Sequence, residues 1–164
     1  MRVMVVLTAC ALPLAAQKTH DICNSCHGEH VADFRKHKHF QTGLSCDTCH
    51  GESEQHRNAN GAVAPDRVSP PDQLPELCGG CHADQLKEYR TSKHARLVAE
   101  RSKTRSAQCA TCHGNHGPRG SKQIVMGCQR CHAQLSSSHP AVADTGTCIT
   151  CHKRHTLLTA AGRR

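Results

Sequence analysis

Hydrophobic residues are concentrated at the start of the chain and become sparse after it. The first sixteen residues, MRVMVVLTACALPLAA, form an apolar run, and long polar stretches follow them. The clearest amphipathic segment, 83–101, carries on one side Leu86, Tyr89, Lys93, His94 and Leu97. Because these residues recur at steps of three and four, the pattern predicts one helix over 83–101 and a short helix of the same kind over 31–38. No segment alternates polar and apolar residues convincingly enough to predict a sheet.

The apolar run at residues 1–16 is typical of a secretory signal peptide. It carries one positive charge and ends in two alanines, so cleavage is predicted near Gln17. The run is too short to span a bilayer, which takes about 20 residues, and the alternative is a structural helix or a short membrane anchor. The stretch LTAC resembles a bacterial lipoprotein box ending at Cys10, although the sequence before it is very short for that role. Lipidation at Cys10 therefore stays an open alternative.

Beyond the apolar run, the chain has too few large hydrophobic residues for a conventional core. From residue 17 onward, Leu, Ile, Val and Phe together number 19 of 148 residues, and the whole chain has no Trp and one Tyr. Such a composition predicts disorder, because the buried apolar surface cannot offset the loss of chain entropy on folding.

Six copies of the pattern Cys-x-x-Cys-His indicate what could form the core in place of hydrophobic side chains. The cysteine pairs are Cys23 and Cys26, Cys46 and Cys49, Cys78 and Cys81, Cys109 and Cys112, Cys128 and Cys131, and Cys148 and Cys151. The histidines that follow them are His27, His50, His82, His113, His132 and His152. A zinc ribbon has no use for the adjacent imidazole, and a thioredoxin-like pair needs one motif on a βαβ unit. The pattern is instead the attachment sequence of c-type haem, in which two thiols form thioethers and the histidine binds the iron.

The sequence therefore predicts six covalent c-type haems. Their flat, apolar porphyrins would supply the missing core, so the chain without haem is expected not to fold. The predicted fold class is mostly irregular with a few short α-helices, cored by haem, with no substantial β-sheet. Because haem of this type is attached outside the cytoplasm, we expect an exported protein, periplasmic or extracellular.

Taken alone, the formal net charge of +8 would suggest a nucleic acid partner. Six haems bring twelve propionate carboxylates, and much of the Lys and Arg excess is expected to balance them. The chain also lacks an aromatic platform on which bases could stack, so we expect no nucleic acid partner. The basic run RSKTR, residues 101–105, is either a docking patch for an acidic partner or a solvated loop.

The motifs fall into three pairs. After the histidine of the first and third motifs, an aromatic residue and Arg follow at seven residues, and a histidine follows at twelve. A third, trimmed copy leads through His139 to the last motif. This repeat predicts a single domain, 17–164, made of three dihaem modules: a first module at about 18–70, a second at about 71–121 and a third at about 122–164. The Pro-rich stretch 60–77 connects the first two modules.

Nine histidines remain once the six motif histidines are taken as proximal iron ligands. Each module has one histidine between its two motifs and one after its second motif, and these predicted distal ligands are His39, His56, His94, His116, His139 and His155. Six irons with two histidines each are expected to have low reduction potentials. His20, His30 and His37 have no counterparts in the other modules and are predicted spares, although His30 competes with His56 as distal ligand. For Met126 a packing role is preferred over ligation.

The segments CGGCHADQLKEYRTSKHA and CATCHGNHG resemble the multihaem c-type cytochromes with doubled Cys-x-x-Cys-His motifs. CDTCHGESEQH is similar to the CHGPG-x-x-H segment of that family but lacks the Pro-Gly. The resemblance covers nearly all of residues 20–155. It implies chains of haems in near contact that carry electrons through the periplasm or to the outside, and it gives the distal role to His56, His94 and His116.

Two classes of function follow from these observations. The favoured one is an electron carrier or conduit between redox partner proteins, with no catalytic residue. The alternative is an oxidoreductase acting on a small nitrogen or sulfur substrate, which requires an iron with an open position. Six complete motifs and three surplus histidines favour the carrier. A haem filament, or a subunit of a membrane-associated redox complex, would be a subtype of carrier that the sequence does not separate.

Overall fold

The computed structural model of the protein describes residues 14–100, 106–135, 139 and 148–159. Within these ranges the chain is helical or irregular and contains no strand. His152 and Thr159 form an isolated antiparallel bridge. The expectation of short helices without a sheet is confirmed. The helices of the described residues are α1 (Leu14–Phe34), α2 (Lys38–Gln41), α3 (Cys46–His50), α4 (Glu54–Asn58), α5 (Leu74–Gly79), α6 (Ala83–Arg90), α7 (Lys93–Ala99), α8 (Cys109–His113), α9 (Ser121–Gln129) and α10 (Cys148–Cys151).

The ends of the chain and three internal stretches, 101–105, 136–138 and 140–147, are not described. Residues 1–13, which include Cys10 and most of the predicted signal peptide, lie outside the described residues, as does the basic run 101–105. Among the residues that are described, no helix combines the length and the hydrophobicity needed to cross a membrane.

The chain divides into two compact units, residues 1–67 and 68–164. The first unit contains α1 to α4, and the second contains α5 to α10. The boundary falls within the Pro-rich stretch 60–77, close to the predicted end of the first module. The separation of the second unit into two modules stays a prediction.

Protein side chains form almost no hydrophobic core. Over the described part of the chain, the buried hydrophobic side chains are Val31 and Val125, which are 3% and 4% exposed. Met126, for which the sequence predicts packing, is 51% exposed. This sparse interior is what the composition leads us to expect of a chain whose core is haem.

The second motif of each predicted module forms a short helix of its own, and two of these helices, α3 and α8, begin and end in the same way. Each begins where a backbone N–H donates to a threonine hydroxyl inside the motif, Thr48 in α3 and Thr111 in α8. Each ends at a glycine with positive φ, +76° at Gly51 and +79° at Gly114, and with ψ near 180°. Only glycine adopts that backbone conformation readily, so the glycine lets the chain turn away directly after the motif histidine.

The predicted helix over 83–101 is wrong, because the structure divides it into α6 and α7. Ser92 precedes α7, and its buried hydroxyl accepts a hydrogen bond from the Ala95 backbone N–H at 3.1 Å. A serine that caps a new helix competes with continuation of the old one. The predicted helix over 31–38 is likewise replaced by the end of α1 at Phe34 and the start of α2 at Lys38.

Candidate haem sites

The first cysteines of the two motifs in each predicted module are neighbours. Their thiols lie within hydrogen-bond range of one another, in the pairs Cys23 with Cys46, Cys78 with Cys109, and Cys128 with Cys148. Each of these sulfur atoms is half-buried. Because each is expected to form a thioether with a porphyrin, the arrangement would bring the edges of two porphyrins together at every thiol pair.

In this arrangement, burial and neighbouring thiols shift the pKa values of Cys46, Cys78 and Cys109 as free thiols. Burial and the neighbouring Cys23 raise the pKa of Cys46 to about 12. The hydrogen bond between Cys78 and Cys109 lowers the pKa of Cys78 to about 7 and raises the pKa of Cys109 well above its usual value.

Four motif histidines face a second histidine at the separation that a shared iron requires. Two imidazoles that bind opposite faces of one metal ion, each through a bond of about 2 Å, have ring centres about 6 Å apart. The ring-centre distances are 6.0 Å for His27 and His56, 6.0 Å for His94 and His132, 6.2 Å for His113 and His155, and 6.2 Å for His139 and His152. Each pair joins a motif histidine to a predicted distal ligand, so this donor set fits haem iron.

At the first motif, two histidines lie near His27. The ring centre of His30 is 6.1 Å away and that of His56 is 6.0 Å away. Residues three apart on a helix are neighbours in any case, whereas His56 reaches His27 from a distant part of the sequence. The Nδ1 of His56 also lies 2.6 Å from the Val63 carbonyl oxygen, which leaves Nε2 for a metal. These contacts favour His56 over His30.

Several predicted ligands are oriented through the ring nitrogen that would face away from iron. The Nδ1 of His50 lies 3.0 Å from the Arg67 carbonyl oxygen, and that of His152 lies 3.1 Å from the Leu157 carbonyl oxygen. The Nδ1 of His155 instead lies 3.0 Å from a carboxylate oxygen of Glu88. Ligand histidines typically donate the second ring N–H in this way, which fixes the ring and its tautomer.

The remaining predicted ligands are His39 and His116. His39 is the second residue of α2, and its ring centre lies 4.5 Å from that of His37. His116 follows the end of α8 by three residues. Both belong to units that also contain a motif histidine not yet matched, His50 in the first unit and His82 in the second.

The facing histidine pairs cross the predicted module boundary inside the second unit. His94 lies in the second module and faces His132 of the third, while His113 of the second module faces His155 of the third. Cys112 of the second module also lies close to Cys128 of the third. Burial raises the pKa of Cys128 most, and Cys148 and Cys112 raise it further. The sequence predicted a set of distal ligands but not which motif each one would serve.

Two arginines in equivalent positions were missed at the sequence level. The Arg67 N–H donates to the carbonyl oxygen of His50 at 3.1 Å, and the Arg119 N–H donates to that of His113 at 3.2 Å. In both cases the guanidinium donates to the carbonyl oxygen of the motif threonine. Because Arg67 and Arg119 follow their motifs at different spacings, the repeat gave no signal for them.

His20, a predicted spare, is a buried packing residue. It is 3% exposed, and its ring centre lies 5.5 Å from Phe34 and 4.9 Å from Phe40. Its Nδ1 lies 3.3 Å from the sulfur of Cys46, and its buried Nε2 has no hydrogen-bond partner among the described residues. It is therefore positioned beside the thioether site of the second motif.

Paired thiols next to facing histidines define a multihaem c-type cytochrome. The sequence profile of the cytochrome c3 family matches residues 36–133, more than half of the chain, and the chain belongs to that family. The multiheme cytochrome MtrA of Shewanella baltica (strain OS185) is 27% identical over 166 residues, which cover 87% of this chain and 48% of the relative. The chain thus spans about half the length of the curated relative it matches. No solved structure matches it.

The family membership confirms the cofactor and the general activity predicted from the motifs. The cofactor is covalent haem c, and electron transport is the role of the family.

Proposed function

We propose that the chain binds six c-type haems, one at each motif, and passes electrons along them between redox partner proteins in the periplasm or outside the cell. The observation that carries this proposal is the set of four histidine pairs at 6.0 to 6.2 Å. Haem supplies a reversible one-electron change at its iron. The chain supplies the two axial nitrogens, the thioether sulfurs and the spacing between porphyrins.

The proposed ligand map gives every iron two histidines. The pairs are His27 with His56, His50 with His39, His82 with His116, His113 with His155, His132 with His94, and His152 with His139. Ring distances support four of these pairs. The other two follow by elimination, because each unit then retains one motif histidine and one predicted distal histidine.

The thiol pairs support transfer between neighbouring haems. Porphyrin edges that meet at Cys23 and Cys46, at Cys78 and Cys109, and at Cys128 and Cys148 would place three pairs of haems in near contact. In the second unit, Cys112 beside Cys128 would join two of those pairs into one path. A haem filament or a membrane-associated redox complex would use the same path, with the partner at either end.

A carrier fits this ligand map better than an enzyme does. Catalysis on a small molecule needs an iron position that no protein ligand fills. Under the proposed map, six distal histidines fill all six positions.

Intact mass and EPR spectroscopy of the oxidised, full-length protein test the proposal. The mass should exceed that of the processed chain by six haem masses, and the spectrum should contain low-spin ferric signals alone. A fully matured chain with five haems or fewer would overturn the count. A reproducible high-spin ferric signal would instead indicate an open iron and favour the enzyme.

A further inference from the structure

Glu88 makes a carboxylate contact at one predicted haem site. Its carboxylate oxygen Oε2 lies 3.0 Å from Nδ1 of His155, and the ring centre of His155 lies 6.2 Å from that of His113. Glu88 is on α6, whereas His155 follows α10. The carboxylate therefore reaches a histidine that is distant in the sequence, at the site of the fourth motif.

The chemistry of this contact differs from that at three other predicted ligands. Where the structure gives an Nδ1 partner for a ligand histidine, His50, His56 and His152 each have a neutral backbone carbonyl oxygen. His155 has a carboxylate. An anionic acceptor draws the Nδ1 proton more strongly than a carbonyl does and makes the opposite nitrogen a stronger donor.

A stronger nitrogen donor and a nearby negative charge act in the same direction on haem iron. Both stabilise the ferric state, which carries one more positive charge, relative to the ferrous state. Solvent weakens the effect, because the side chain of Glu88 is 57% exposed and that of His155 is 32% exposed. The expected result is a lower reduction potential at this one iron.

We propose that Glu88 is a positioning residue for the haem attached at Cys109 and Cys112. It orients His155 through Nδ1 and lowers the reduction potential of that haem relative to a site with a backbone carbonyl partner. The inference rests on the proposed pairing of His113 with His155. At this haem an electron is held less tightly than it would be with a backbone carbonyl partner at His155.

The chain offers a matched control in Glu76. This residue has similar exposure, 63%, belongs to the same unit, and forms an ion pair with Arg90 at 2.7 Å instead of contacting a histidine. Glu76→Gln removes the same charge as Glu88→Gln without removing a ligand contact. A general effect of net charge would therefore appear in both variants.

Redox titration of the full-length holoprotein, followed by optical and EPR spectroscopy, tests the proposal. In Glu88→Gln, the midpoint potential of one haem should rise by about 59 mV. At a given potential, this lowers the ferric-to-ferrous ratio of that haem about tenfold, while all haems stay low-spin. Glu76→Gln should leave every midpoint in place. Glu88→Asp keeps the charge and should retain most of the low potential, which provides a second readout if Glu88→Gln matures poorly.

Two outcomes would overturn the inference in different ways. If His155→Ala converts one haem to high-spin but neither Glu88 variant moves a midpoint, the ligand pairing holds and the role of Glu88 fails. If His155→Ala leaves all haems low-spin, the pairing itself fails, and the inference fails with it. A midpoint that moves equally in the Glu76 and Glu88 variants would also contradict a specific role.

Discussion

His94 faces His132 at a ring-centre distance of 6.0 Å, although 38 residues separate them in the sequence. Burial lowers the pKa of His94, and the neighbouring His132 lowers it further. The imidazole is therefore held neutral, which is the form that binds a metal. The short helix α7 thus places His94 beside the histidine of a later motif.

Replacing His94 with alanine should convert one haem from low-spin to high-spin and raise its potential, because a strong-field nitrogen donor is lost. EPR spectroscopy and redox titration of the oxidised protein measure both effects. In a chain that also lacks Cys128 and Cys131, the high-spin signal should not appear, since that haem is absent.

His20→Ala is the control for this experiment. Because His20 is buried against Phe34 and Phe40, its loss should lower the melting temperature while all six haems stay low-spin. If His94→Ala kept six low-spin haems with no substitute histidine at the iron, the ligand map would be wrong.

The chain expressed without the haem-attachment machinery should be unstructured. Over the described residues, Val31 and Val125 are the buried hydrophobic side chains, too few to stabilise a fold. Far-UV circular dichroism and thermal unfolding would measure this. A cooperative unfolding transition in the chain without haem would contradict the prediction.

Gly51→Ala should destabilise the holoprotein by about 1 to 3 kcal/mol, because the backbone conformation at this position strains any other residue. An added Cβ would also lie 2.9 Å from the side chain of Asp66, whose carboxylate accepts the Ser53 N–H. Denaturant unfolding measures the loss.

Gly127→Ala provides the comparison for Gly51. This glycine lies within α9, and an added Cβ would meet only the flexible end of Arg130, at 3.4 Å. The substitution should be neutral or slightly stabilising, since alanine is the better helix former. Equal losses in the two variants would rule out a special backbone requirement at Gly51.

The stability of the second unit should depend on the hydroxyl of Tyr89 at alkaline pH. Burial raises the pKa of Tyr89, and the hydroxyl donates to the Ala107 carbonyl oxygen at 3.0 Å. Because the unfolded chain loses the phenolic proton first, stability should fall as the pH rises above about 10 and level off above the folded-state pKa.

Tyr89→Phe separates this effect from general alkaline unfolding. The variant should be about 1 kcal/mol less stable at neutral pH through the lost hydrogen bond. It should also show a smaller decline at alkaline pH. Denaturant titrations at a series of pH values measure both, and identical declines in the two proteins would contradict the assignment.

The sequence predicted the chemistry of the sites better than their connections. The motifs and the repeat identify His56, His94, His139 and His155 as candidates by residue type and position alone. Their motif partners depend on how the chain returns over 29 to 42 residues, or over the 13 that separate His139 from His152, and spacing does not encode that path. The family resemblance agreed with the repeat on His56, His94 and His116 but gave no pairing.

Local structure was harder to predict where a side chain overrides a pattern. The hydrophobic spacing continues from Leu86 to Leu97, but the helix does not, because Ser92 caps a new helix. Arg67 and Arg119 perform the same task at different distances from their motifs, so a repeat search does not find them. Glu88 looks like any exposed helical carboxylate until His155 is placed beside it.

In the proposed map, histidines of the second and third modules bind the same irons, so the loss of one module would affect the haems of the other. Under the proposed map, deletion of residues 122–164 would leave both haem motifs of the second module intact. It would nevertheless remove His155 and leave the iron bound by His113 with an open position. A truncation that spares every remaining motif would then turn an electron-carrying haem into one that can bind a small molecule. Under this map, loss of the third module alone would therefore separate a carrier from a potential catalyst.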